Sequence, residues 1–133
     1  MANIIICDIV TPEAKVFNGE AVLVSAPAAE GDIGLMYQCA PLMSTLRQGV
    51  VRIKDEAEKV ISFAVSGGYL EVDGYKVVIL ASRALDLAKV DKDIANERIA
   101  QNEKRVSELK DDDPAKAYAE AEVSWQQYLL SQI

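Results

Sequence analysis

"KVISFAVSGGYLEVDGYKVVILA", residues 59–81, decides the fold. In its first seven residues Ile61, Phe63 and Val65 point one way while Ser62 and Ala64 point the other, the period of a half-buried strand. "YLEV" and "YKVVILA" continue as strands. They meet at Asp73-Gly74, a strong hairpin signal because glycine tolerates positive φ. Upstream, "RQGVVRI" repeats the alternation, with Val51 and Ile53 opposite Val50 and Arg52. The charged "KDEAEK" between them reads as a turn. Further breaks are expected at Thr11-Pro12, Asn18-Gly19, Ala26-Pro27 and Gly31 to Gly34. Short strands with turn signals about every 8 to 12 residues predict an antiparallel sandwich or barrel.

Beyond Arg83 the punctuation stops, and no glycine follows Gly74. Ala95, Ile99, Asn102, Val106 and Leu109 recur at steps of four and three, one face of a helix. That helix must end near "DDDPAKAY", because Pro114 removes a backbone donor. Asp113 can cap free amides and proline suits a first turn, so a second helix starts there. Its expected face carries Ala115, Tyr118, Ala121, Trp125 and Tyr128, with Ala119, Val123 and Leu130 beside them. The chain is therefore α+β: an antiparallel β-sandwich or barrel domain in 1–84 and an antiparallel two-helix hairpin in 85–133. Two helices cannot enclose their own apolar surface, so part of the stripe must lean on something else.

The net charge of −7 argues against nucleic acid. Residues 1–84 hold 7 basic and 10 acidic side chains and residues 85–133 hold 7 and 11, so neither half is a basic arm. No apolar run approaches the roughly 20 residues of a membrane-spanning helix. "MANIIICDIV" has neither a basic start nor a small-residue cleavage site, and a secretory signal is not expected. There is no histidine, so a cysteine or serine nucleophile would lack its usual base. Cys7 lies in an apolar strand and reads as a reduced, buried thiol. Cys39 reads as a packing or loop residue, because reactive cysteines need an activating environment.

Five stretches in order, "DIVTPEAKVFNGE", "SAPAAEGDIG", "APLMSTLRQGVVRI", "VSGGYLEV" and "KVVILA", followed by the broken helical tail, resemble the epsilon subunit of bacterial F-type ATP synthase. The resemblance covers nearly the whole chain. It implies a sandwich of about ten strands before the hairpin, no catalytic residue, no metal and no cofactor. It also implies a place in the rotating central stalk, on the cytoplasmic face of the plasma membrane. There the sandwich would bind the gamma subunit and the c-ring, touching the membrane only through that ring. The hairpin would either fold against the sandwich or extend to the alpha and beta catalytic subunits and impede ATP hydrolysis.

The resemblance also implies site residues. The tip formed by Glu30, Gly31 and Asp32 would meet the c-ring, with Gly31 and Gly34 allowing sharp bends. The family's usual Gly-His before Ala-Pro-Leu is Gln38-Cys39 here. Lys92, Arg98, Lys104, Arg105 and Lys110 would face the catalytic subunits, although eleven acids share that half. Some relatives bind ATP on the hairpin through an apolar residue and Asp-x-x-Arg-Ala. The matching Val90, Asp91, Ile94 and Ala95 put an alkyl group where the guanidinium should be, so an ATP site is not expected.

Overall fold

The computed structural model describes residues 3–133. The chain divides into two compact units, the first ending at Asp86 and the second running Leu87–Ile133. The first contains eight strands: β1 (Ile5–Val10), β2 (Lys15–Ala21), β3 (Leu23–Ala28), β4 (Gly31–Leu35), β5 (Leu42–Lys54), β6 (Val60–Val72), β7 (Lys76–Ala81) and β8 (Ala84–Asp86). They hydrogen-bond in the order β2-β1-β7-β6-β5-β3-β4, with β8 pairing β6. The expected sandwich-plus-hairpin fold is present with two adjustments. The described residues form eight strands rather than about ten, and the sheet is mixed because β1 and β7 run parallel.

β5 and β6 are each 13 residues long, and their antiparallel register keeps one offset from Leu42↔Val72 to Lys54↔Val60, with only the Arg47–Gly67 position left unpaired in that ladder. One edge of β6 pairs with β8 through Phe63–Val65 and with β7 through Gly68–Val72. Along β6 the buried positions change parity, from Phe63 and Val65 to Leu70 and Val72. Such a switch needs backbone that leaves the ordinary strand region. Gly67 and Gly68 supply it at φ +107° and +146°, and a Cβ on Gly68 would lie 1.9 Å from the Leu80 carbonyl oxygen. The sheet thereby folds around one core, in which Ile5, Ile9, Val24, Val51, Val65, Leu70 and Ile79 are fully buried or nearly so.

Three expected breaks fall inside strands. Asn18-Gly19 lies in β2, where Asn18 donates its side-chain amide to Asp8 and Gly19 sits beneath the Phe17 ring. Ala26-Pro27 lies in β3 at a shift in its register with β5, an irregularity of the kind that admits proline in a strand. Gly34 lies in β4 opposite Ser25, and only Gly31, at φ +141°, uses glycine's freedom. Asp73-Gly74 does turn as expected: Gly74 has φ +97° and the Asp73 carboxylate accepts from the Tyr75 and Lys76 amides.

In the second unit a short 3-10 turn, Leu87–Lys89, precedes α1 (Lys92–Glu108) and α2 (Pro114–Ser131). Asp113 caps α2 by accepting from the Ala115 amide, with Pro114 in the first turn. Within α1 the residues withdrawn from solvent are Ala95, Ile99, Asn102 and Val106, the stripe read from sequence. The face of α2 is rotated from the expected one. Ala119, Trp125, Gln126 and Leu129 are buried, whereas Tyr118 is 76% exposed and Ala121 is exposed as well. Gln126 belongs inside because its amide donates to the Glu122 carboxylate one turn away, 2.8 Å off. No helix among the described residues is long and apolar enough to cross a membrane.

Candidate functional site

The acids expected at the docking tip sit on the β3–β4 hairpin, whose loop is Ala29-Glu30. The Ala29 amide donates to the Thr45 carbonyl, tying the loop to β5. Glu30 projects at the tip and is exposed. Asp32 is different: it lies within β4 opposite Pro27, and its carboxylate accepts from the Arg47 guanidinium at 2.9 Å. A groove of about 400 Å³ separates this hairpin from the start of β5, lined among others by Glu30, Asp32, Leu42 and Met43.

The neighbouring segment 36–39 packs on the β6–β7 turn. The Gln38 amide donates to the Gly74 carbonyl at 2.6 Å, and the Tyr37 and Tyr75 rings meet edge to face at 5.8 Å. Gln38 holds φ +62°, a left-handed conformation that favours glycine. Gln38, where the resemblance leads one to expect glycine, thus keeps a glycine-like backbone. Cys39 is half-buried and packs against the core. Cys7 is fully buried, and burial together with the adjacent Asp8 charge pushes its thiol up to about 12.

Two features of the first unit were not read from sequence. Asp8 is 3% exposed and holds three partners at once: the Asn18 amide, Lys76 at 3.0 Å and Lys15 at 3.6 Å. The Asn18 hydrogen bond and the two lysines hold its carboxyl below the usual range despite desolvation. The signal was there, since an acid inside "IIICDIV" must be satisfied by something. The second feature is an apolar groove of about 370 Å³ across β5, β6 and β7. Met43, Tyr69 and Leu80 line it and are 77%, 64% and 50% exposed. Outward positions of a strand ordinarily carry polar groups, so large apolar side chains there mark a contact surface.

In the hairpin unit, Asp91 caps α1 by accepting from the Asp93 and Ile94 amides at 2.8 and 3.2 Å. The acid of the ATP-like stretch is therefore occupied in starting the helix. Val90 precedes it, Ala95 is buried, and Ile94 is exposed with nothing to offer a phosphate. Lys92, Arg98, Lys104, Arg105 and Lys110 are all exposed. They do not form one stripe: Arg98 and Arg105 share a side, whereas Lys104 lies about 100° around the helix from Arg105. At the turn, Asp111 and Lys116 pair, which lowers the acid's pKa and raises the lysine's. Among the described residues no cluster of histidine, cysteine and carboxylate side chains is placed to hold a metal.

Residues 5–86 match the family described as ATP synthase, Delta/Epsilon chain, beta-sandwich domain. The chain belongs to this family. The family match ends at Asp86, the last residue of β8, and full-length relatives extend the similarity into the hairpin. The chain is 41% identical over 124 residues to the ATP synthase epsilon chain 1 of Methylococcus capsulatus, covering 92% of this chain and 85% of that one. The epsilon chain of Neisseria meningitidis serogroup B is 38% identical over 115 residues, covering 86% and 80%. A chain in the Euglena gracilis mitochondrial ATP synthase OSCP/F1/c-ring structure shares the fold, with a TM-score of 0.71 and 17% identity over 99% of this chain and 82% of that one.

Proposed function

We propose that this member of the family is the epsilon subunit of a bacterial F-type ATP synthase, a non-catalytic part of the rotor. The observation that carries the reading is the reach of the similarity, which at 41% identity spans 92% of the chain and so covers both units. The sandwich couples the gamma subunit to the c-ring, so that ion flow turns both together. Its groove at Met43, Tyr69 and Leu80 offers exposed apolar side chains for the contact with gamma. The tip at Glu30, Gly31 and Asp32 faces the ring, on the cytoplasmic side of the plasma membrane.

The hairpin acts as a switch that restrains ATP hydrolysis when it extends toward the alpha and beta subunits. Its seam supports this reading: alanine at Ala95 and Ala119, with Asn102 and Gln126 among the withdrawn residues, leaves Trp125 and Leu129 as the large apolar side chains it buries. A difference of about 1.4 kcal/mol changes a two-state ratio tenfold, so a weak seam suits regulation.

Co-purification tests the assignment. The tagged chain should bring down gamma and the catalytic subunits from native membranes, and recovery without a rotary complex would refute it. Truncation after Asp86 should raise ATP hydrolysis by the assembled complex. If hydrolysis is unchanged under all conditions, the hairpin is a structural element and not a switch.

A further inference from the structure

The ladder joining β3 to β5 is interrupted just behind the docking tip. Ser25 pairs with Arg52 and Ala28 with Leu46, so three steps along β3 correspond to six along β5. In the gap Pro27 has no N–H to donate, and its ring lies where a Cβ on Gly49 would be, 2.6 Å away. The tip is therefore held to β5 by fewer backbone bonds than the strand lengths suggest.

One side chain spans this gap. Arg47 donates from Nε to the Ala28 carbonyl at 2.8 Å and from Nη2 to the Asp32 carboxylate at 2.9 Å. Ala28 ends β3 and Asp32 lies in β4, so a single planar guanidinium grips both arms of the hairpin from β5. Lysine has no such fork. From this geometry we infer that Arg47 is a positioning residue for the docking tip: it replaces the missing ladder bonds and fixes the direction in which Glu30 projects. Asp32 serves as its anchor through Oδ1. Among the described residues Glu30 makes no ion pair, so it is the carboxylate the tip offers to a hydrogen-bond donor or cation on the partner. The inference rests on the proposed contact between this tip and the c-ring.

Amide hydrogen exchange on the full chain tests the strut without the ring. Arg47→Gln should speed exchange at Ala29 and along Gly31–Leu35 about fivefold, the factor for losing one net hydrogen bond, while Val77 and Ile79 stay unchanged. Asp32→Asn should act in the same direction, and the double variant should exceed the larger single effect by little. Arg47→Lys keeps the charge and should restore less than half of the lost protection. Unchanged tip rates, additive effects, or equal acceleration in the core would each overturn the inference. In the assembled complex, Glu30→Gln should weaken the coupling of hydrolysis to ion transport. Unchanged coupling there would sink the ring contact while leaving the exchange results standing.

Discussion

Replacing Asp8 should destabilise the sandwich in a way that depends on pH. Its carboxylate accepts from Asn18 and Lys76 and lies 3.6 Å from Lys15, tying β1 to β2 on one side and β7 on the other. Each hydrogen bond to a charged group contributes roughly 1.5–3 kcal/mol. Lys15 and Lys76 are 54% and 48% exposed and can rehydrate, so the lysine share is discounted. Asp8→Ala should therefore cost about 2–3 kcal/mol, less than the full penalty of breaking a buried pair. Asp8→Asn, which keeps the shape, should cost about 1–2 kcal/mol. The folded pKa lies below the ordinary 3.8, so the unfolded chain takes up this proton first as pH falls. The stabilisation is full above 3.8 and is lost as pH drops through the folded value. Urea unfolding followed by the amide resonances of β1 and β7 reads the effect. The gap between wild type and Asp8→Asn should narrow from pH 7 to pH 3. A gap that stays constant, or one below about 0.5 kcal/mol at pH 7, would show that the charge is not what holds these strands.

Gly68→Ala should cost about 3 kcal/mol or more, because the new methyl meets the Leu80 carbonyl oxygen on a backbone that cannot move aside, and thermal unfolding will show it. Gln38→Gly should be neutral or stabilise by up to about 1 kcal/mol, whereas Gln38→Val should destabilise, since a β-branched residue resists φ +62°. Iodoacetamide at pH 8 should label Cys39 in the native chain and leave Cys7 untouched until urea unfolds the sandwich, as mass spectrometry of the peptides will report.

Local pattern reported local structure well. Alternation in "KVISFAV" and "RQGVVRI" identified the buried sides of β5 and β6, and Asp113-Pro114 marked the start of α2. Where tertiary partners intervene, the pattern misled. Asn18-Gly19 looks like a turn, yet Asn18 is consumed by Asp8 ten residues away and stays in a strand. In α2 the aromatic Tyr118 faces outward and the polar Gln126 inward, because Glu122 satisfies the glutamine amide. The tip acids were legible as acids. Their difference was not, since Arg47 comes from 15 residues further along and only folding brings it to Asp32.

The two long strands have a mechanical consequence. β5 and β6 pass around the corner at Gly67-Gly68 without a break in register, so both sides of the sandwich share the same two covalent backbones. A shearing load on one side reaches the other along the peptide bonds of both strands, with paired backbone on either side of the corner. It need not cross the slippery apolar interior, where side chains in contact resist sliding only weakly. A body built in this way stiffens against twist at the cost of a corner that tolerates almost no side chain.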